Sequence, residues 1–134
     1  MYNNILVAMA LDHGVSQKTL EIAKILSTPG GTITALHVLE EPHGTANVRL
    51  REDLLQQGTD RAKDLFNEKL ENTSGVERKL VVGHVSRTIV DYANENGVDC
   101  IVMGSHKPGL SDYLLGSTAA RVVRHASCAV HVFR

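Results

Sequence analysis

Residues 99–118 read DCIVMGSHKPGLSDYLLGST, and this stretch contains a strand, a loop and the start of a helix. Its apolar beginning predicts a buried strand over residues 99–104, because a strand covered on both faces is a continuous apolar run. The loop opens at Gly104 and closes with Gly116-Ser117-Thr118, and residues 117–125 then have the pattern of a helix. A strand that leads through a loop into a helix is the repeating unit of α/β proteins.

The same alternation runs through the rest of the chain. Short apolar or β-branched runs predict strands over residues 5–9, 32–39, 77–82, 99–104 and 129–133. Apolar residues at helical spacing predict helices over residues 16–27, 46–73, 86–96 and 117–125. We expect Ser16 to cap the first helix, Pro29-Gly30-Gly31 to end it, Gly58 to mark a break in the second, and Gly97 to stop the third. Five strands and four helices in alternation predict an open five-stranded parallel sheet with helices on both faces, a three-layer α/β sandwich.

Length and charge restrict the class of protein. The 134 residues fit one domain, which we expect to span 1–134. Fourteen Lys and Arg stand against fifteen Asp and Glu, giving a net charge of -1. This balance argues against a broad nucleic-acid surface and against a polybasic membrane anchor. Aromatic residues are only 4%, which argues against an aromatic stacking platform for bases.

The termini and the cysteines predict a cytoplasmic protein. The start of the chain lacks the basic region of a signal peptide, and no apolar run approaches the ~20 residues that span a bilayer. Cys100 and Cys128 fit no metal-ligand spacing, so we interpret them as unpaired thiols rather than as a disulfide. The seven histidines include no helical i, i+4 pair, and no metal site is predicted. His37, within a predicted strand, is interpreted as a satisfied core or half-core side chain.

The loop after the fourth strand has the physical character of a phosphate site. In open α/β sheets, ligands bind beyond the carboxyl ends of the strands at a topological switch point. Glycine allows close approach to a phosphate, a helix N-terminus favours an anion, and Ser117 and Thr118 add hydroxyl donors. The alternative is an ordinary strand-to-helix connection in which Ser117 is the N-cap. A P-loop is excluded because Leu110-Ser111 stands where Lys-Ser/Thr is needed.

Over essentially its whole length, the chain resembles single-domain universal stress proteins of the nucleotide-binding kind, which have an adenine nucleotide alpha hydrolase-like fold. The matching segments are NILVA (4–8), LHV (36–38), GHVSRTI (83–89), VMGSH (102–106), LLGST (114–118) and VVRHASCAV (122–130). The family's ATP-binding pattern is Gly-x2-Gly-x9-Gly-Ser/Thr. Gly104 and Gly116-Ser117 match its ends, whereas Lys107-Pro108 stand at the second glycine and the segment is one residue short. A small enterobacterial-like subgroup has this shortened form.

The resemblance implies an ATP site with two parts, at which Mg²⁺ or Mn²⁺ would accompany the nucleotide. The adenine slot would be formed by Ala8, Met9, Ala10 and Val38. The phosphate and ribose cradle would be formed by Met103, Gly104, Ser105, His106, Lys107, Gly116, Ser117 and Thr118. The few aromatic residues lead us to expect adenine between aliphatic groups such as Met9 and Val38. The family's acid after the first strand is replaced here by Ala10, so backbone groups would contact the base.

The last strand leads us to expect a homodimer. In the resembled family this strand pairs antiparallel with its copy, which implies an interface at Val130, His131, Val132 and Phe133. An edge strand needs cover on its open side, and two-fold contacts are the commonest oligomer type.

Three functions stay open at this point. The first is a stress-response regulator that binds ATP and is at most a slow ATPase or a slow autokinase at Ser117 or Thr118, since no base or nucleophile is evident. The second is a dimeric interaction module whose nucleotide site has been disabled by Ala10 and Lys107-Pro108. The third is a small α/β hydrolase or transferase that uses the same loop for another phosphate ester.

Overall fold

Five parallel strands form one sheet in the computed structural model, which describes residues 1–10, 16–42, 44, 47–105 and 115–134. The strands are β1 (Tyr2–Ala8), β2 (Ser27–Leu39), β3 (Val76–Val82), β4 (Cys100–Gly104) and β5 (Ala129–Phe133). The helices are α1 (Ser16–Leu26), α2 (Val48–Lys69), α3 (Val85–Glu95) and α4 (Ser117–His125). The predicted α/β class and the parallel sheet are therefore confirmed.

The strand order β3-β2-β1-β4-β5 places β1 at the centre. Leu6 of β1 lies opposite Thr34 of β2 on one side and Ile101 of β4 on the other. The chain builds outward from β1 to β3 and then returns to the other side of β1 to add β4 and β5. The topological switch point, where such sheets bind ligands, therefore lies between β1 and β4.

The helices cover the two faces of the sheet in pairs. Ile5 and Val7 pack with residues of α1 and α2, including Leu20 and Phe66, in one core cluster. Leu6 packs with residues of α3 and α4, such as Ile89 and Val122, in the other. Successive β1 side chains enter opposite clusters because side chains alternate along a strand. This explains the unbroken apolar run of residues 5–7, all of them fully buried.

The start of β2 differs from the prediction. The segment Pro29-Gly30-Gly31 does not end α1, which stops at Leu26, but lies within β2. The register shifts here, with Tyr2 opposite Ser27 and Asn4 opposite Thr32. Gly30 takes φ +80°, a conformation that side chains disfavour, and Thr28 Oγ1 donates to the Tyr2 carbonyl at 3.2 Å. The turn residues therefore form an irregularity inside the strand pairing.

The helix ends also differ from the predicted positions. No break occurs at Gly58, since α2 continues from Val48 to Lys69 with Asn47 as its N-cap. Ser16 is the first residue of α1 rather than the residue before it. Gly97 follows the C-cap of α3 with φ +65°, which confirms the predicted stop. Among the described residues, no helix is both long enough and apolar enough to cross a membrane.

Candidate functional site

The carboxyl edge of the sheet gathers the described residues of the predicted nucleotide site. Ala8 ends β1, and Met9 and Ala10 follow it. Met103 and Gly104 end β4, which runs parallel to β1 with Val7 opposite Val102. Val38 lies near the same end of β2, where Ala8 is opposite Leu36. His106 and Lys107, predicted to belong to the phosphate cradle, lie outside the described residues.

A backbone hydrogen bond joins the end of β4 to the start of α4. The Gly116 N–H donates to the Ser105 carbonyl at 2.6 Å, although ten residues separate them. The Ser105 N–H in turn donates to the Phe133 carbonyl at 2.8 Å. Ser105 is buried, with 3% of its surface exposed. These bonds fix the N-terminus of α4 at the carboxyl ends of β4 and β5.

The N-terminus of α4 offers backbone donors to a ligand. Its N-cap is Gly116, which has no side chain to bond the first turn, and that turn contains no acidic residue. The helix begins with the Ala120 N–H bonding the Gly116 carbonyl at 2.9 Å, so the N–H groups of residues 117–119 have no partner within the helix. Ser117 is exposed and Thr118 is half-buried. Ser117 is the first helical residue rather than the cap, so the alternative interpretation of Ser117 as an N-cap is wrong.

The two aliphatic side chains expected to flank adenine lie on opposite faces of the sheet. Met9 packs in the α1/α2 cluster and is 4% exposed, whereas Val38 packs in the α3/α4 cluster and is 8% exposed. The expectation of one slot between these side chains is therefore wrong. Val38, Met103 and Ala8 share the α3/α4 face, which is also the face of α4.

Hydrogen bonds fix the backbone after β1. The Met9 N–H donates to the Leu36 carbonyl at 2.8 Å. His37 Nδ1 lies 2.8 Å from the Met9 carbonyl oxygen, and since a carbonyl only accepts, Nδ1 carries the proton. His37 is half-buried, which confirms its interpretation as a satisfied side chain. Its role at the end of β1 was not predicted, because the contact spans 28 residues.

The end of β3 is held by a histidine cap that the sequence also did not identify. His84 is the N-cap of α3, and its Nδ1 accepts the Arg87 N–H at 3.5 Å. A Cβ at Gly83 would lie 2.6 Å from Thr88 Oγ1, so a side chain there would require the Thr88 hydroxyl to move. Both residues belong to the GHVSRTI segment of the resemblance. Here they position α3 rather than the β1/β4 edge.

The two cysteines are free thiols on opposite faces of the sheet. Cys100 packs in the α1/α2 cluster and Cys128 packs against the α3/α4 cluster. Burial raises the pKa of the Cys100 thiol to about 11, with smaller contributions from Cys128 and Asp99. Burial also raises the pKa of Cys128. A thiol that stays protonated is a poor nucleophile, so neither residue is a candidate catalytic group.

The remaining predicted features are an edge strand and the absence of a metal site. β5 is an outer strand of the sheet; His131 is exposed, while Val130, Val132 and Phe133 are half-buried. Val130 and Val132 pack against the α3/α4 cluster. In the part of the chain that the structure describes, no three His, Cys, Asp or Glu side chains are grouped so that they could hold a metal ion.

Comparison with known proteins gives matches over the full length. The model of the universal stress protein family matches residues 1–134. Universal stress protein G of Escherichia coli O157:H7 is 30% identical over 145 residues, which cover 100% of both chains. The solved structure of the universal stress protein UspA from Lactobacillus plantarum has a TM-score of 0.83 and 29% identity, and covers 99% of this chain and 98% of its own.

A more distant solved structure shares the fold and contains a nucleotide. The universal stress protein from Archaeoglobus fulgidus in complex with dAMP has a TM-score of 0.60 at 22% identity. The alignment covers 99% of this chain and 98% of the other.

Proposed function

Since the chain belongs to the universal stress protein family, we propose that it binds ATP in the crevice between β1 and β4 and regulates a stress response through that binding. The switch point of the sheet lies at this crevice, and the described part of the predicted site is gathered there. The dAMP complex of the Archaeoglobus fulgidus relative supports an adenine nucleotide as the class of ligand.

The hydrogen bond between Ser105 and Gly116 is the observation that carries the proposal. It fixes the N-terminus of α4 beside the end of β4 without using a side chain. The N–H groups of residues 117–119 and the positive end of the helix dipole then form an anion site. We place the phosphates there, with the Ser117 and Thr118 hydroxyls as additional donors. Lys107, which follows β4 in the sequence, would supply a cation, and Mg²⁺ or Mn²⁺ would accompany the phosphates.

The base would lie on the α3/α4 face of the crevice. Ala8, Val38 and Met103 share that face and are aliphatic, which suits an adenine ring in a chain with few aromatic residues. The Met9 N–H and carbonyl are both bonded within the protein, so they stiffen the edge rather than reach the base. We therefore assign adenine selectivity to the shape of this aliphatic face.

Binding rather than efficient catalysis is the proposed mode of action. The acidic side chain that the family carries after β1 is replaced by Ala10. Neither cysteine is activated, and the described edge contains no carboxylate beside Ser117 that could serve as a general base. Turnover, where it occurs, would be slow hydrolysis or phosphoryl transfer to Ser117 or Thr118.

Calorimetry with ATP, ADP, AMP and GTP in the presence of Mg²⁺ tests the proposal. We expect saturable binding of ATP, weaker binding of GTP, and loss of both in Gly116→Leu, whose side chain would occupy the phosphate site. Asn47→Leu is the matched control, because it alters the N-cap of α2, a helix that packs on the opposite face of the sheet from α4. No heat of binding at millimolar ATP would reject the proposal and favour the interaction module. Turnover of other phosphate esters without ATP binding would instead favour a hydrolase or transferase.

Homodimerisation through β5 in the cytoplasm completes the proposal. β5 is an edge strand whose outer side has no partner strand in the described sheet, and a second copy would cover it. Free thiols suit a reducing compartment. Light scattering after size exclusion should give twice the 14.6 kDa chain mass, and a 14.6 kDa particle would contradict the dimer.

A further inference from the structure

A second group of polar residues lies at the opposite side of the sheet, where α2 crosses the edge strand β3. A cavity of about 200 Å³ opens there, lined by Lys63, Phe66, Asn67, Arg78, Lys79 and Leu80. β3 is the outermost strand on this side, separated from the β1/β4 crevice by β2 and β1. We call these six residues the β3-edge cavity.

The floor of the β3-edge cavity is apolar and its rim is cationic. Phe66 is buried and Leu80 is half-buried, and both belong to the α1/α2 face of the core. Lys63 and Arg78 are exposed around them. Lys79 lines the cavity only through its place on β3, because its side chain alternates with those of Arg78 and Leu80 and lies on the α3/α4 face of the sheet.

Arg78 is held in place by neutral acceptors. Its Nη1 donates to Asn67 Oδ1 at 2.8 Å, and its Nη2 donates to the Leu70 carbonyl at 2.9 Å, at the C-terminal end of α2. These bonds use two of the five guanidinium N–H donors and neutralise no charge. The guanidinium is therefore preorganised, and three donors stay available for a planar anion.

Lys63 is not neutralised either, since within the described residues it forms no ion pair. An anion entering the cavity would therefore meet two cations, Lys63 and Arg78, that no carboxylate of the described chain contacts.

We propose that the β3-edge cavity binds a small organic anion that has a carboxylate or phosphate head and an apolar body about the size of a benzene ring. The head pairs with Arg78 and Lys63, and the body rests on Phe66 and Leu80. An apolar cavity of about 150 Å³ accommodates benzene, so about 200 Å³ suits a ring with one charged group. This site is independent of the proposed nucleotide site.

Titration of the full chain with phenyl phosphate, followed in proton–nitrogen NMR spectra, tests the proposal. We expect saturable shifts of the backbone amides of residues 78–80 with a dissociation constant of about 1 mM, as befits a ligand of this size. Lys63→Glu should weaken binding by about tenfold or more, because it removes a charged partner and adds a repulsive one.

Lys24→Glu is the matched control, since Lys24 is an exposed lysine on α1 outside the cavity. It makes the same change of charge and should leave the affinity within about twofold, as expected for an exposed charge far from the ligand. Inorganic phosphate should bind more weakly than phenyl phosphate, because it lacks the apolar body. Equal affinity of the two anions, equal effects of Lys63→Glu and Lys24→Glu, or shifts that spare residues 78–80 would each overturn the proposal.

Discussion

Replacing Gly116 by aspartate should stabilise the fold and weaken ATP binding at the same time. Gly116 is the N-cap of α4 with φ -56° and ψ 152°, a conformation that any residue adopts. The carboxylate of an aspartate there would accept a hydrogen bond from an N–H of the first turn, and its negative charge would interact favourably with the positive end of the helix dipole. The gain over glycine is a few tenths of a kcal/mol for the cap plus about 0.3–1 kcal/mol for the charge.

The same carboxylate would occupy the place proposed for the phosphates. A unit charge about 5 Å from a phosphate charge, at an effective dielectric constant of about 20, costs roughly 3 kcal/mol. That energy corresponds to a loss of affinity of more than about a hundredfold. Stability and affinity should therefore change in opposite directions.

Gly116→Asn separates charge from bulk, because asparagine is equally good as an N-cap and is neutral. Urea denaturation should show both variants to be at least as stable as the unmodified chain. Calorimetry should show a much larger loss of ATP affinity in Gly116→Asp than in Gly116→Asn. If both variants bind ATP as tightly as the unmodified chain, the phosphates do not lie at the α4 N-terminus and the reasoning fails.

Three further predictions concern stability. Leu6→Ala should lower the free energy of unfolding by about 2–5 kcal/mol in urea denaturation, because Leu6 is fully buried in the central strand. Val123→Ala, at an exposed position, should lower it by less than about 0.5 kcal/mol. His84→Ala should lower the free energy of unfolding by about 0.5 kcal/mol, a small loss because the cap hydrogen bond is long at 3.5 Å. Thermal melts of His84→Asn should show no loss of stability, since asparagine is also a good N-cap. A destabilised His84→Asn would exclude capping as the reason. Stability should fall as pH rises from about 9 toward 11, because the unfolded chain loses the Cys100 proton first while the folded chain keeps it. Cys100→Ala should flatten this part of the stability–pH curve, and an unchanged slope would show that Cys100 does not cause it.

The number and order of the elements could be predicted because their signals are local. Residues 5–7 and 100–103 are fully apolar runs in interior strands that both core clusters cover. Such strands can be recognised from the sequence without knowing how they pair with their neighbours. Gly97 likewise acts locally, through its positive φ after α3. The family resemblance then indicated which loop follows the switch point.

The predictions that failed required information from distant parts of the chain. Pro29-Gly30-Gly31 has the composition of a helix stop, yet pairing of Ser27 with Tyr2 draws the segment into β2. Gly58 costs about 1 kcal/mol in a helix, but α2 extends across it because Ala62 and Phe66 are buried beyond it. The placement of Met9 and Val38 on opposite faces follows from the register of Ala8 with Leu36, which the sequence does not reveal.

The departures of this chain from the family's ATP-binding pattern are substitutions at Ala10 and Lys107-Pro108 and the loss of one residue from the segment. The contacts that form the described crevice are instead made by the backbone, from Ser105 to Gly116 and from Met9 to Leu36. None of the residues in these bonds is among the substituted positions. Ala10 adds no charge, Lys107 adds a positive charge that favours phosphate, and Pro108 removes one backbone N–H from the loop. The substitutions therefore weigh less against nucleotide binding than the pattern alone indicates, which favours the ATP-binding proposal over the interaction module.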